Sequence, residues 1–238
     1  MGLHICYDLS LPGSTTDDSA LALLERLRAY ALTLDVDLVT ELLQLSGRDL
    51  SRDAVRPEQL TVPRLLYIVA NGAREERDGA ADEIVDADRI AAAAFLIHPG
   101  DRSESAMFGV VRPLLTEQPV GAERPDEWRQ WFWHYCCKTQ YASAISDEHL
   151  VRCHLSVVHV LEEAQRIGFN VTVRDETFYW DTRSTDRLLT EVRNMNRVVA
   201  RFAGTMHDAL SSEHRVDGEI FAHPDFERLE SEPMESDL

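Results

Sequence analysis

The chain lacks an excess of positive charge, a long apolar run and every common phosphate-binding glycine loop. Its 238 residues carry 24 Lys and Arg against 42 Asp and Glu, a formal net charge of −18. Nucleic acid and anionic membrane surfaces need a positive field to bind. Here the basic residues are scattered, so neither is expected as a partner. No apolar stretch approaches the roughly 20 residues that cross a bilayer. The first residues, MGLHICYDLSLPG, show no basic segment ahead of an apolar one, so no signal peptide is expected. Cys6 stands where N-myristoylation requires Ser or Thr. Neither G-x-G-x-x-G nor G-x-x-x-x-G-K-[ST] occurs, which argues against nucleotide enzymes. The absence of G-x-S-x-G and H-E-x-x-H weakens serine-hydrolase and zinc-protease readings.

Cysteine is also scarce. Four Cys, two of them adjacent, do not make a disulfide framework for a chain of this length. The expected compartment is therefore a reducing cytosol. The hydrophobic share of 44% and charged share of 28% are those of a soluble globular protein with a sizeable core.

Periodicity outlines the elements. Residues 3–11 alternate around Ile5, Tyr7 and Leu9 as a strand with one buried face. Thr15, with Asp18 three residues on, is read as the cap of a helix over 17–33, whose apolar face holds Ala20, Leu24, Leu27, Ala31 and Leu34. Residues 36–45 suit a strand or a short helix, 65–70 a strand and 74–89 mainly loop. Residues 91–98 and 107–112 form an expected hairpin around PGDRSES. Residues 114–127, with Pro119, Gly121 and Pro125, read as a linker.

Beyond it, residues 131–141 alternate as a strand covered on both faces. Ser146 caps a helix that runs to Arg166 and ends at Gly168. Residues 170–174 form a short Val-rich strand. A last long helix over 185–210 carries Leu188, Val192, Met195, Val199, Phe202, Met206 and Leu210 on one stripe. The acidic tail, with Pro224 and Pro233, is expected to be disordered at least at its end.

The fold class expected is α+β: mixed or antiparallel sheets with about three main helices. Two related strand–helix–strand halves, 1–113 and 128–223, flank the 114–127 linker, with an acidic tail over 224–238; they either stand apart or behave as one compact domain.

Any chemistry is expected to pass through residues 128–154, which hold three of the four Trp, three of the four Cys and three of the nine His. His134, Cys136, Cys137, Cys153 and His154 are suitable zinc ligand types, but their spacing is not that of a structural site. On a strand, His134 and Cys137 face opposite ways. On a helix, Cys153 and His154 diverge by about 100°. Cys136, Cys137 and Cys153 are read instead as small core residues, and no metal ligand is assigned.

A nucleophilic reading pairs Cys137 with His154 as base and Asp175 or Glu176 as orienter. A polar reading groups Lys138, Gln140, Arg152, Asp175, Glu176, Tyr179 and Arg183. Lys138 and Gln140 would share one strand face, and Asp175 and Glu176 would close a strand end. Those carboxylates either do acid–base work or are neutralised by Lys138, Arg152 or Arg183 in a buried ion-pair network, the arrangement favoured here. Trp128, Trp131, Trp133, Phe178, Tyr179 and Trp180 are either core mass or a stacking surface.

The segments CCKTQYAS, VRCHLSVV, VRDETFYW with Arg183, and MNRVVARFAG followed by PDFERLE resemble a bacterial protein family without an assigned activity. The resemblance covers mainly residues 131–230. It implies a bacterial cytosolic setting and transfers no site residues.

The resulting expectation is a cytosolic binding, regulatory or accessory protein, with a pocket where the 131–141 strand, the His154 helix and the Asp175–Glu176 strand end converge. Its partner would be a protein or a small molecule, with no cofactor, and its oligomeric state is open. The alternatives are a Cys137/His154 hydrolase or transferase, with Lys138, Gln140, Arg152, Tyr179 and Arg183 as ligand-binding residues, and a small metal-binding protein.

Overall fold

Alternation of apolar and polar residues builds the first strand, β1 (Ile5–Leu11), which buries Ile5, Tyr7, Leu9 and Leu11 and leaves Asp8 exposed. The computed structural model describes residues 2–46, 90–113, 130–209 and 219–231. The strand expected at 65–70, the loop at 74–89, the linker, Trp128, Leu210 and the end of the tail lie outside these residues.

Helix α1 (Asp17–Ala31) follows, with Ala20, Leu24, Leu27 and Ala31 buried at the predicted spacing. Its cap is Thr16 rather than Thr15. Thr15 spends its backbone N–H on Pro12 O, closing a turn, and the extended Thr16 accepts from Ser19 N. Residues 36–45 resolve into two short strands, β2 (Leu38–Val39) and β3 (Leu43–Ser46). The expected hairpin is present as β4 (Ile90–His98) and β5 (Ala106–Pro113), paired antiparallel from Ile90↔Pro113 to Ile97↔Ala106.

The second half supplies β6 (Trp131–Cys137), α2 (Asp147–Ile167), β7 (Asn170–Asp175), the one-turn α3 (Tyr179–Thr182), α4 (Thr185–Ala209) and α5 (Phe226–Ser231). Ser146 caps α2 by accepting from His149 N. Gly168 ends it at φ 116°, a left-handed conformation that favours glycine. The β6 strand is shorter than predicted. Its partner β1 begins opposite it at Ile5↔Cys137, so beyond Cys137 no β1 ladder remains to continue the pairing. The chain instead enters a 3₁₀ turn over Gln140–Ala144, which removes Lys138 and Gln140 from the strand face predicted for them.

These elements make an α+β fold with a seven-stranded antiparallel sheet in the order β2, β4, β5, β6, β1, β7, in which β3 also pairs with β4. Strand β1 lies between β6 and β7, so segments from both sides of residues 114–127 share one sheet. The core lies between this sheet and the α1–α2 layer. There Leu24, Leu27, Val157, Val160 and Leu161 meet Leu9, Phe95, Phe108 and Trp133. Gly109 makes room for Trp133. A Cβ there would stand 2.6 Å from Ala94 Cβ, 2.7 Å from Ala93 O and 2.9 Å from Trp133 Cζ3. Trp133 Nε1 and Tyr7 OH both donate to Met107 O at 2.8 Å, so neither polar tip is stranded in the core.

The opposite face of β6–β1–β7 is more open than predicted. Phe132, His134 and Cys136 are only half-buried there. The predicted stripe of α4 is buried at Leu188, Val192 and Val199, but Phe202 and Met206 are 53% and 37% exposed. In its C-terminal half, α4 packs through Ala200 and Ala203 against Ile220 and Leu229, which rotates the covered face away from that stripe. Residues Phe226–Ser231 of the acidic tail are helical, with Leu229 buried.

Candidate functional site

Three groups of polar side chains stand out, and the predicted residues are divided among them. The first is buried. Helix α2 carries His154 on its core face, fully inaccessible, with Nε2 3.3 Å from Asp175 Oδ2. Thr177 Oγ1 also lies 3.3 Å from Nε2, and Thr139 Oγ1 lies 3.0 Å from Nδ1. Asp175, the last residue of β7, accepts from Thr177 N (2.9 Å), Thr177 Oγ1 (2.7 Å) and Trp180 N (2.9 Å). Burial alone would push its carboxyl up. The hydrogen bond and charge of His154, with the bonds from Thr177 and the Trp180 amide, outweigh burial and bring it down to about 2. Left-handed backbone at Phe178 and Arg183 brackets α3, whose Tyr179 ring meets the His154 ring edge-on at 5.7 Å. Both imidazole nitrogens are therefore occupied within the fold. The cluster locks the ends of β6 and β7 onto α2.

Cys137 is also inaccessible, and its thiol is not in a disulfide. Burial pushes its thiol far up, and Glu104 and Asp175 act in the same direction. A thiol held neutral in this way is a poor nucleophile.

The other predicted residues are directed elsewhere. Glu176 turns away from Asp175 and accepts from His4 N at 2.8 Å, with His4 Nδ1 at 3.2 Å. Burial raises its carboxyl, but the His4 amide, the His4 ring and Arg174 together leave it lowered. Lys138 donates its backbone N–H to Glu104 and lies 3.7 Å from that carboxylate through Nζ. Gln140 is buried, accepting from Leu3 N and donating to Asn196 Oδ1, each at 2.7 Å. Arg152 donates to Asp35 O and Pro99 O. Arg183 pairs with Glu162 at 2.9 Å and covers the Trp180 ring at 4.6 Å. The side chains that meet Asp175 and Glu176 are thus His154 and His4, not the predicted Lys138, Arg152 or Arg183. A histidine reaches the strand end from α2 in one case and from the start of the chain in the other.

The second group lines a cleft of about 460 Å³ between the 140–144 turn, the start of α2, α4 and the 219–231 segment. Arg193, Arg197, Arg228 and His223 face Asp147 and Asp225 across it, with Ser143 and Asn196 on its wall. Arg193 is ion-paired with Asp147, and Arg228 with Asp225 at 3.1 Å. Burial lowers His223, and Arg228 and Arg102 reinforce this against Asp225. These residues were missed from sequence, although Arg193 and Arg197 recur at the i, i+4 spacing that puts two side chains on one helix face.

The third group lies on the open face of the sheet. The register Cys6↔Cys136 sets two cysteines directly opposite each other, and they form a disulfide with Cα atoms 4.0 Å apart. Cys136 is therefore not the free core residue predicted. Two residues before it and on the same face, His134 places Nε2 3.7 Å from Cys136 Sγ and Nδ1 2.8 Å from Asp8 Oδ1. On the other side of β1, Arg174 pairs in register with Cys6 and brings Nη2 to 3.9 Å from its sulfur. Asp8 had no sequence signal beyond sharing the β1 phase of Cys6. Among the described residues, no group of three or more His, Cys, Asp or Glu is arranged to hold a metal ion. None of their helices is long and apolar enough to cross a membrane.

No protein-family model, curated protein or solved structure matches this chain.

Proposed function

We propose that this chain is a cytosolic binding protein of bacterial type that holds a small anionic ligand in the cleft between α4, the start of α2 and the 219–231 segment. The observation that carries the reading is the lining. Three arginines and a histidine meet two aspartates around about 460 Å³, within a chain of net charge −18. A volume in the range of roughly 300–1,000 Å³ suits a small molecule. Arginine's planar fork suits carboxylate or phosphate oxygens, which it binds in pairs. Asp147 and Asp225 hold Arg193 and Arg228 in place until a ligand oxygen competes for them. Asn196, anchored by Gln140 and donating to Ser143 Oγ, adds a fixed polar wall.

The buried His154–Asp175 cluster then serves to hold β6, β7 and α2 in register. This assignment sets aside the Cys137-dependent hydrolase or transferase, because the thiol is buried and held neutral.

The test is thermal denaturation in chloride buffer of fixed ionic strength, with inorganic phosphate, citrate and a nucleoside monophosphate added separately. A ligand at 100 times its Kd stabilises by about 2.7 kcal/mol. At least one compound should raise the midpoint of the wild type and fail to raise that of Arg193→Gln/Arg197→Gln. If the midpoint rises equally in the double variant, or no anion raises it, the reading is wrong.

A further inference from the structure

We infer that the open face of the sheet carries a thiol–disulfide exchange site at Cys6–Cys136, whose substrate class is a low-molecular-weight thiol. It is separate from the arginine cleft and does not depend on it.

The cross-strand pair has more around it than a structural staple requires. One row across the sheet reads Cys136, Cys6, Arg174 on β6, β1 and β7, and the next reads His134, Asp8, Thr172. A disulfide that only joined two strands would need neither a base nor a cation beside it. Here the Asp8 carboxylate, 2.8 Å from Nδ1, holds the His134 ring so that Nδ1 carries the proton and the Nε2 lone pair is directed at Cys136 Sγ, 3.7 Å away. Cys136 is half-buried and open to attack, whereas Cys6 is only 7% exposed. The Cys6 sulfur lies 3.9 Å from the Arg174 guanidinium, a permanent positive charge suited to a leaving thiolate. The attacked sulfur is therefore Cys136 and the leaving sulfur is Cys6.

In the first step a thiol approaches Cys136, and His134 Nε2 takes its proton. The thiolate sulfur forms a bond to Cys136 Sγ. The Cys6–Cys136 bond breaks, and its electron pair leaves on Cys6 as a thiolate beside Arg174. In the second step another thiol attacks the substrate sulfur of the mixed disulfide, releasing the symmetrical small disulfide and the Cys136 thiol. Two thiols lose two electrons and two protons, and the protein disulfide gains them as two thiols; run backwards, a small disulfide re-forms the bond. Disulfides in a reducing compartment are usually transient, so this chemistry fits the cytosolic setting proposed above.

The test uses the full chain, purified without reductant and treated with diamide, then exposed to glutathione under native conditions. Samples are quenched with iodoacetamide and mapped by mass spectrometry. A glutathione adduct on Cys136 with alkylation at Cys6 is expected. The adduct should form roughly tenfold more slowly in His134→Gln, and more slowly again than wild type in Arg174→Gln. Circular dichroism confirms that each variant is folded, and if one fails to fold the other carries the comparison. Any of three results overturns the inference: no Cys6–Cys136 bond after diamide, an adduct on Cys6, or unchanged rates in the folded variants.

Discussion

Replacing Asp175 with Asn removes the charge from the buried cluster while keeping its shape, and the expected loss depends on pH. In the folded chain the Asp175 carboxyl lies at about 2, against an ordinary value of 3.8. Its side chain is wholly inaccessible, so solvent does not screen the interaction. A difference of this size contributes about 2 kcal/mol to stability at neutral pH. Because the folded value is the lower one, the contribution is complete above the unfolded value near 4 and is lost as pH falls toward 2. About half should be gone by pH 3. Altered hydrogen bonds to Thr177 and Trp180 add a cost that does not change with pH. Urea unfolding of wild type and Asp175→Asn at pH 7, 4 and 3 separates the two parts. The stability gap should narrow by about 1 kcal/mol from pH 7 to pH 3. Parallel stability curves for the two proteins would refute the claim that His154, Thr177 and the Trp180 amide stabilise a buried carboxylate.

Two further outcomes follow from the same packing. Gln140→Ala strands the Leu3 N–H and Asn196 Oδ1, both bonded to Gln140 at 2.7 Å, and should cost about 2–4 kcal/mol in urea unfolding, with faster amide exchange at Leu3. Cys137, buried and with its thiol pushed up, should resist neutral-pH alkylation in the folded protein and react only on unfolding, read by peptide mass.

Part of the site was legible because it rests on short-range pattern. His154 shares a helix face with Leu150, Val157 and Leu161, so its approach to the core followed from spacing, and Asp175 closes the strand that α2 feeds. Placing Lys138 and Gln140 on one face of that pocket requires β6 to continue to Tyr141. Where that strand stops depends on where its partner begins, and β1 begins more than a hundred residues earlier in the chain. The choice between Cys136 and Cys137 shows the same limit. Adjacent strand residues face opposite sides whatever the fold, and the sequence pattern did not reveal which side is covered.

The amino-acid order by itself determined the α+β class, three long helices, the Ser146 cap and Gly168 stop of α2, the β4–β5 hairpin and the burial phase of β1. Each of these depends on side chains a few residues apart, governed by 2.0- and 3.6-residue periods. The tertiary structure alone decided that β1 lies between β6 and β7, that Cys6 meets Cys136 beside His134, Asp8 and Arg174, and that Arg193, Arg197 and Arg228 surround one cleft. Those neighbours are brought together by strand register and helix packing over long separations, where no local period records which residue faces which.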